Sequence, residues 1–171
     1  GGATSGAHVW GGAQFEIGLS ASSYIPTSGT PVTRAADDVH FTPAQSISTE
    51  GCVRATVKFP PVVAAGMRVL GGAASTAPIY VQSATELRIG DGTGTATIDV
   101  GALAGATMTI RAGWSGATMT IATATDTDTQ SFDGDMGTGT LYLGSQAGSS
   151  NFLFGHIRDV RIGTSATGCA L

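Results

Sequence analysis

The sequence is short of charge. Lys, Arg, Asp and Glu make up 12% of its 171 residues, against about 25% in ordinary globular domains. The shortage of Lys and Glu removes the residues that solvent-facing helices are built from, and no stretch shows the apolar stripe of an amphipathic helix. Aromatic residues are scarce too, at 6%. There are only two cysteines, Cys52 and Cys169; they are too far apart for a CxxC motif, which excludes a structural zinc site. No run approaches the roughly 18–20 apolar residues of a membrane-spanning helix. The net charge of −4 comes with no basic stripe in the sequence, so nothing supplies electrostatic capture of nucleic acid or of an anionic membrane. The opening GGATSGAHVW has neither the charged nor the apolar region of an export signal. Its Gly-Gly start without Met suits a fragment or a processed product.

What is present favours strands. The chain has 26 glycines and an apolar fraction of 42%, and its apolar residues recur in short clusters, unlike those of a disordered tail. Val and Thr suit a pleated surface, and Gly suits tight turns. Val39-His40-Phe41 opens the series. Cys52 to Phe59 follows, with Val53, Ala55, Val57 and Phe59 alternating with polar residues. Pro60-Pro61 ends that strand. Further runs lie at Met67–Leu70, Ile79–Gln82, Glu86–Gly90, Ala96–Val100, Ala106–Arg111 and Ala117–Ala122. The last two contain the same string, ATMTI, on either side of Gly113-Trp114-Ser115-Gly116, which reads as a hairpin with Trp114 at its exposed tip. Gly139–Ser145 and Phe152–Ile162 close the chain, and the second needs a bulge near Gly155 to keep its apolar residues on one face. Many short strands with frequent turn signals predict an all-β sandwich or barrel.

Residues 1–38 differ. They hold one isolated strand, Trp10–Gly18, and an extended connector with two prolines running to Asp38, so the chain divides into an N-terminal arm, 1–38, and a sandwich domain, 39–171. A lone strand leaves its backbone donors and acceptors unsatisfied. Trp10, Phe15 and Ile17 are therefore expected to form a contact between copies of the chain.

The chemistry-bearing residues are few. Gly113-Trp114-Ser115-Gly116-Ala117 lacks the final glycine of a nucleophile elbow, and His8, His40 and His156 form no HExxH pair. Catalytic machinery is absent from the sequence pattern. Asp126, Asp128, Asp133 and Asp135 cluster, and short-spaced carboxylates are what calcium takes; Asp133 and Asp135 are the candidate ligands, against a reading as solvated loop acids. Glycan recognition stacks a sugar on an aromatic ring and fixes its hydroxyls with amides or carboxylates, which singles out Trp114, Tyr80 and Asn151; for Trp114 a capping or packing role is the favoured alternative. Cys52 and Cys169 either pair across a long loop, worth about 4–5 kcal/mol in the chain-entropy account, or stand as two small buried thiols.

The string SSYIPTSGTPVTRAADDV, preceded by WGGAQFEIG, resembles the junction at which a carbohydrate-binding-module-like jelly roll leads into a second domain in bacteriophage tail and virion proteins. LYLGSQAGSSNFLFGHIRDVRIG is similar to the closing strands of a concanavalin A-like, laminin-G-like sandwich. The resemblance implies an all-β jelly roll with an N-terminal extended arm, in a non-enzymatic virion structural protein. Its role would be that of a tail-fibre or tailspike attachment module for a host surface glycan, or of a purely architectural decoration or tail subunit. A secreted cellular adhesin is a third reading. The resemblance further implies a homotrimer among other virion proteins, calcium at the sandwich rim, and free thiols at Cys52 and Cys169, since phage proteins assemble in a reducing cell.

Overall fold

A computed structural model describes residues 39–72, 77–136, 139–146 and 151–170. The chain divides into two compact units, and these residues belong to the second, Ala36–Leu171. The expected contact residues Trp10, Phe15 and Ile17, and His8, lie outside the described residues.

The described residues contain eleven strands and no helix. They are β1 (His40–Phe41), β2 (Gly51–Lys58), β3 (Arg68–Gly71), β4 (Ala77–Val81), β5 (Glu86–Gly90), β6 (Thr95–Asp99), β7 (Thr107–Ser115), β8 (Thr118–Ala122), β9 (Thr127–Ser131), β10 (Leu141–Leu143) and β11 (His156–Gly163). One sheet has the order β1-β10-β3-β4-β5-β6 and the other β11-β2-β7-β8-β9. The pairs are antiparallel. The fold is an antiparallel two-sheet β-sandwich, one of the two all-β architectures that the residue pattern predicts.

The alternation in β2 shows why. Val53, Ala55 and Val57 are fully buried between the sheets, while Arg54, Thr56 and Lys58 take the outer face. The facing sheet supplies Val69, Ile79, Leu87 and Ile89, also fully buried. Each of these valine, leucine and isoleucine side chains contributes about 1.5–3 kcal/mol by leaving water.

Four expectations are corrected. Trp114 is fully buried, not exposed at a hairpin tip: β7 continues through Ser115, the two-residue turn is Gly116–Ala117 with φ +58 at Gly116, and the Met108-Ile110-Ala112-Trp114 alternation turns the indole inward. Its Nε1–H donates to the Ile47 carbonyl at 2.6 Å, which satisfies the polar end of a buried ring. The bulge of the closing strand falls between Arg158 and Arg161, with Asp159 at φ +53, and not at Gly155. Part of the acidic loop is a strand, β9. The thiols are not free: Cys52 and Cys169 form a disulfide.

The disulfide follows from the path of the chain after β11. After β11 the tail turns back over the outer face of the β2–β7 pair. Ala166 O accepts from Arg111 Nη2, Ala170 O accepts from Arg54 Nη1 at 2.9 Å, and Ala166 N–H donates to Glu50 Oε1 at 3.3 Å. The tail lies so close that a Cβ on Gly113 would stand 2.5 Å from Ala166 O. Cys169 is thereby brought over Cys52, 117 residues away in sequence. Removing the bridge with Cys52→Ser and Cys169→Ser, or reducing it, is expected to lower the unfolding free energy by about 2–5 kcal/mol. Denaturant melts with and without reductant check this.

Asp91 joins two loops. Its Oδ1 accepts the amides of Gly94 at 2.6 Å and Thr93 at 2.8 Å, and its Oδ2 accepts the amide of Asp133 at 3.0 Å. Burial pushes this carboxyl's pKa up, but the amides of Gly94, Asp133 and Thr93 together outweigh it and hold the pKa below the ordinary value. Since the folded-state pKa lies below the unfolded one, the stabilisation is complete above the ordinary carboxylate range and is lost as pH falls through the lowered value. Asp91→Asn removes the carboxylate charge and turns one of the two acceptor oxygens into an N–H donor, and is expected to cost about 1–3 kcal/mol at neutral pH. It should also flatten the acid-side loss of stability below about pH 4, measured by urea melts across pH.

Candidate functional site

Of the three residues singled out for glycan contact, the fold brings two into one neighbourhood and removes the third. Tyr80 on β4 is the register partner of Arg68 on β3. Both lie on the outer face of their sheet, opposite the inward-facing Ile79 and Val81. The Arg68 guanidinium sits 4.5 Å from the centre of the Tyr80 ring, within cation–π range. Asn151, with φ +55, approaches from the loop before β11, and its carbonyl accepts the Arg68 amide at 2.9 Å. Gln146 completes the group: its Oε1 accepts from Asn151 Nδ2 at 2.6 Å and from Arg68 Nη2 at 3.4 Å. Trp114 lies on the other sheet, inside the core.

The guanidinium is the unusual member. Its Nε and Nη1 are buried and have no hydrogen-bond partner, and neither has the buried hydroxyl of Ser145, next to Gln146. Burial lowers the Arg68 pKa and the nearby Tyr80 phenol acts in the opposite direction. An arginine keeps its charge regardless. Buried cations are normally paired with a carboxylate, yet the described residues contain no salt bridge to Arg68. The arrangement can offer an aromatic face, a planar cation and two amides to a ligand rich in oxygen acceptors.

Arg68 and Gln146 were not singled out in the sequence. The signal was there for Arg68, a lone charge inside the apolar run Met67-Arg68-Val69-Leu70. Gln146 carried none.

The two candidate calcium ligands lie two residues apart in the loop after β9. Asp133 Oδ2 accepts from the Thr93 hydroxyl of the β5–β6 turn at 2.9 Å and its Oδ1 from the Asp135 amide at 3.0 Å. Among the described residues no three of His, Cys, Asp and Glu converge as a metal would require.

No family model matches the sequence, and neither does any curated protein. Solved structures do. The mouse laminin alpha1 chain, domains LG4-5, matches at 17% identity and a TM-score of 0.47, over 74% of this chain and 41% of that one. The LG1-3 region of the laminin alpha2 chain matches at 15% identity and a TM-score of 0.52, over 76% of this chain and 31% of that one. This chain thus spans less than half the length of either. At such identities the second likeness speaks for the fold, a laminin-G-like sandwich, and for nothing finer.

If Arg68 is kept for a ligand and not for stability, replacing it should cost the fold little. Arg68→Met retains the stem and removes a desolvated charge. Its unfolding free energy in urea is expected to stay within about 1 kcal/mol of the parent or to rise; a fall of about 3 kcal/mol or more would make the guanidinium a structural element.

Proposed function

We propose that this chain is a non-enzymatic attachment module of a bacteriophage virion, on a tail fibre or tailspike, and that it presents the Arg68–Tyr80–Gln146–Asn151 cluster to a bacterial surface glycan. The observation that carries the reading is the half-buried Arg68 guanidinium, stacked on Tyr80 beside two amides and lacking an acidic partner among the described residues. A saccharide fits it: hydroxyl and ring oxygens accept from the guanidinium and the amides, while the apolar face of a sugar covers the exposed part of the tyrosine ring. The fold favours a binding role, because the sandwich holds Arg68 and Tyr80 on paired strands at little ordering cost. The virion setting rests on the likeness of the connector to a junction in phage tail and virion proteins. The disulfide suits a protein that works outside a reducing cell, which describes a released virion and equally a secreted adhesin.

A second reading, an architectural decoration or tail subunit, is favoured by one observation. Large exposed hydrophobic side chains are few among the described residues, Val39, Val62 and Phe154, and none is in the cluster.

The intact chain, applied to an array of bacterial surface polysaccharides, is expected to retain a subset of them. Arg68→Met and Tyr80→Ala should each weaken retention by about tenfold or more, the equivalent of one charge-assisted or stacking contact. An array on which the intact chain retains no polysaccharide overturns the attachment reading.

A further inference from the structure

The two flanks of the sandwich carry opposite charge. On the β11 side, the bulge at Asp159 brings Arg158 opposite Thr56 and Arg161 opposite Arg54, so two arginines three positions apart share the outer face. His156 stands opposite Lys58, and Arg111 opposite Arg54. Arg54, Lys58, Arg111, Arg158 and Arg161 are five of the eight Lys and Arg residues of the chain, gathered on three neighbouring strands. The basic stripe that is missing from the linear sequence is therefore made by strand pairing. Arg54 and Arg111 are turned to the tail carbonyls. Lys58, His156, Arg158 and Arg161 are exposed. Asp159 is the acid among them, its carboxylate 3.6 Å from Arg158, with both side chains about 70% exposed (73% and 68%).

The opposite flank is formed by β6 and β9, whose association is seen in the 2.9 Å bond from Thr97 N–H to Asp128 Oδ2. Asp99, Asp126, Asp133 and Asp135 are exposed along it and Asp128 is half-buried. A base, Arg88, lies beside this line, its Nε donating to Thr97 Oγ1 at 2.8 Å.

We infer that copies of this chain associate flank to flank, the Lys58–His156–Arg158–Arg161 strip of one against the Asp99–Asp126–Asp133–Asp135 line of a second. Charge complementarity selects the occupant: the surface that fits the basic strip is carried by the chain itself. Single exposed ion pairs contribute about 0–1 kcal/mol, so the contact depends on several acting together and on long-range steering between the two flanks. Side chains make it, because the bulge at Asp159 interrupts the regular backbone row that edge-to-edge pairing of β11 would need. The two surfaces differ, so the contact is head-to-tail and either closes into a ring or continues as a filament. This contact is separate from the glycan cluster, which lies on the outer face of the other sheet.

Light scattering of the intact chain tests it. At low ionic strength the mass should exceed that of one chain, and it should fall to a single chain near 1 M salt, where screening acts over about 3 Å. Arg158→Glu with Arg161→Glu should be monomeric at low salt, as should Asp99→Lys with Asp126→Lys, while circular dichroism of both retains the parent melt. Mixing the two double variants should restore association, since each then offers the charge that the other has lost; this arm separates a lost contact from a damaged fold. A monomeric intact chain at low salt overturns the inference, and the basic strip is then left for a foreign polyanion. An assembly unchanged by salt and by both double variants overturns it as well, and places the contact elsewhere.

Discussion

A two-sheet sandwich buries its apolar residues easily, but it leaves the outermost strands with backbone donors and acceptors that no neighbouring strand accepts. The way this chain treats those edges determines much of the rest. On the β6–β9 side the edges are tied by carboxylates: Asp128 takes the amide of Thr97 from the opposite sheet, and Asp91 takes the amides of Gly94 and Asp133, linking the β5–β6 turn to the loop after β9. Short acidic side chains suit the task because each has two oxygens to set against N–H groups. Acid accumulates on that flank as a consequence. On the β11 side no described strand continues the sheet, and the edge is interrupted by a bulge and furnished with arginine, which discourages indiscriminate strand addition. The electrical asymmetry of the molecule follows from two different solutions to one hydrogen-bonding problem.

How much of this was legible in the sequence depends on whether a segment faces the core. β2 and β5 place alternate residues between the sheets, so Val53-Ala55-Val57 and Leu87-Ile89 announce themselves. β9 does not, because its inward positions are Asp128 and Gln130, opposite Ile121 and Met119, and they meet the sandwich edge and not its interior. A strand whose buried side is a carboxylate that bonds the other sheet has no apolar period to detect. Trp114 was misplaced for the converse reason. The string Gly113-Trp114-Ser115-Gly116 has turn composition, but Gly113 is there for close approach by the tail, and the alternation from Ile110 through Ala112 runs past it.

The candidate site was half legible. Tyr80 and Asn151 could be nominated by chemistry alone, as residues able to stack on or bond to a sugar. Their convergence could not, since it depends on a β3–β4 register and on a loop that returns from beyond β10. Arg68 was visible only as a charge in an apolar run, a signal that would equally mark an arginine with its stem buried and its head in water. What sets it apart is the pair of buried nitrogens without partners, which only the packed structure reveals.

The tail and the disulfide bear on a different cost. Arg54 and Arg111 are direct cross-strand partners, and like charges so placed oppose pairing by a few tenths to about 1 kcal/mol. The carbonyls of Ala170 and Ala166 face these two guanidiniums, so the tail supplies negative dipole to both. An untethered segment would hold such a position poorly, because ordering each residue costs about 1–2 kcal/mol of backbone entropy. The Cys52–Cys169 bridge fixes the tail from one end and Glu50 fixes it at Ala166 from the other. Gly113 and Gly163 keep the surface beneath it low: a Cβ on Gly163 would stand 2.8 Å from Cys52 Sγ. The bridge thus has a function beyond restricting the unfolded chain, since it keeps in place the groups that make a row of arginines tolerable across β2 and β7.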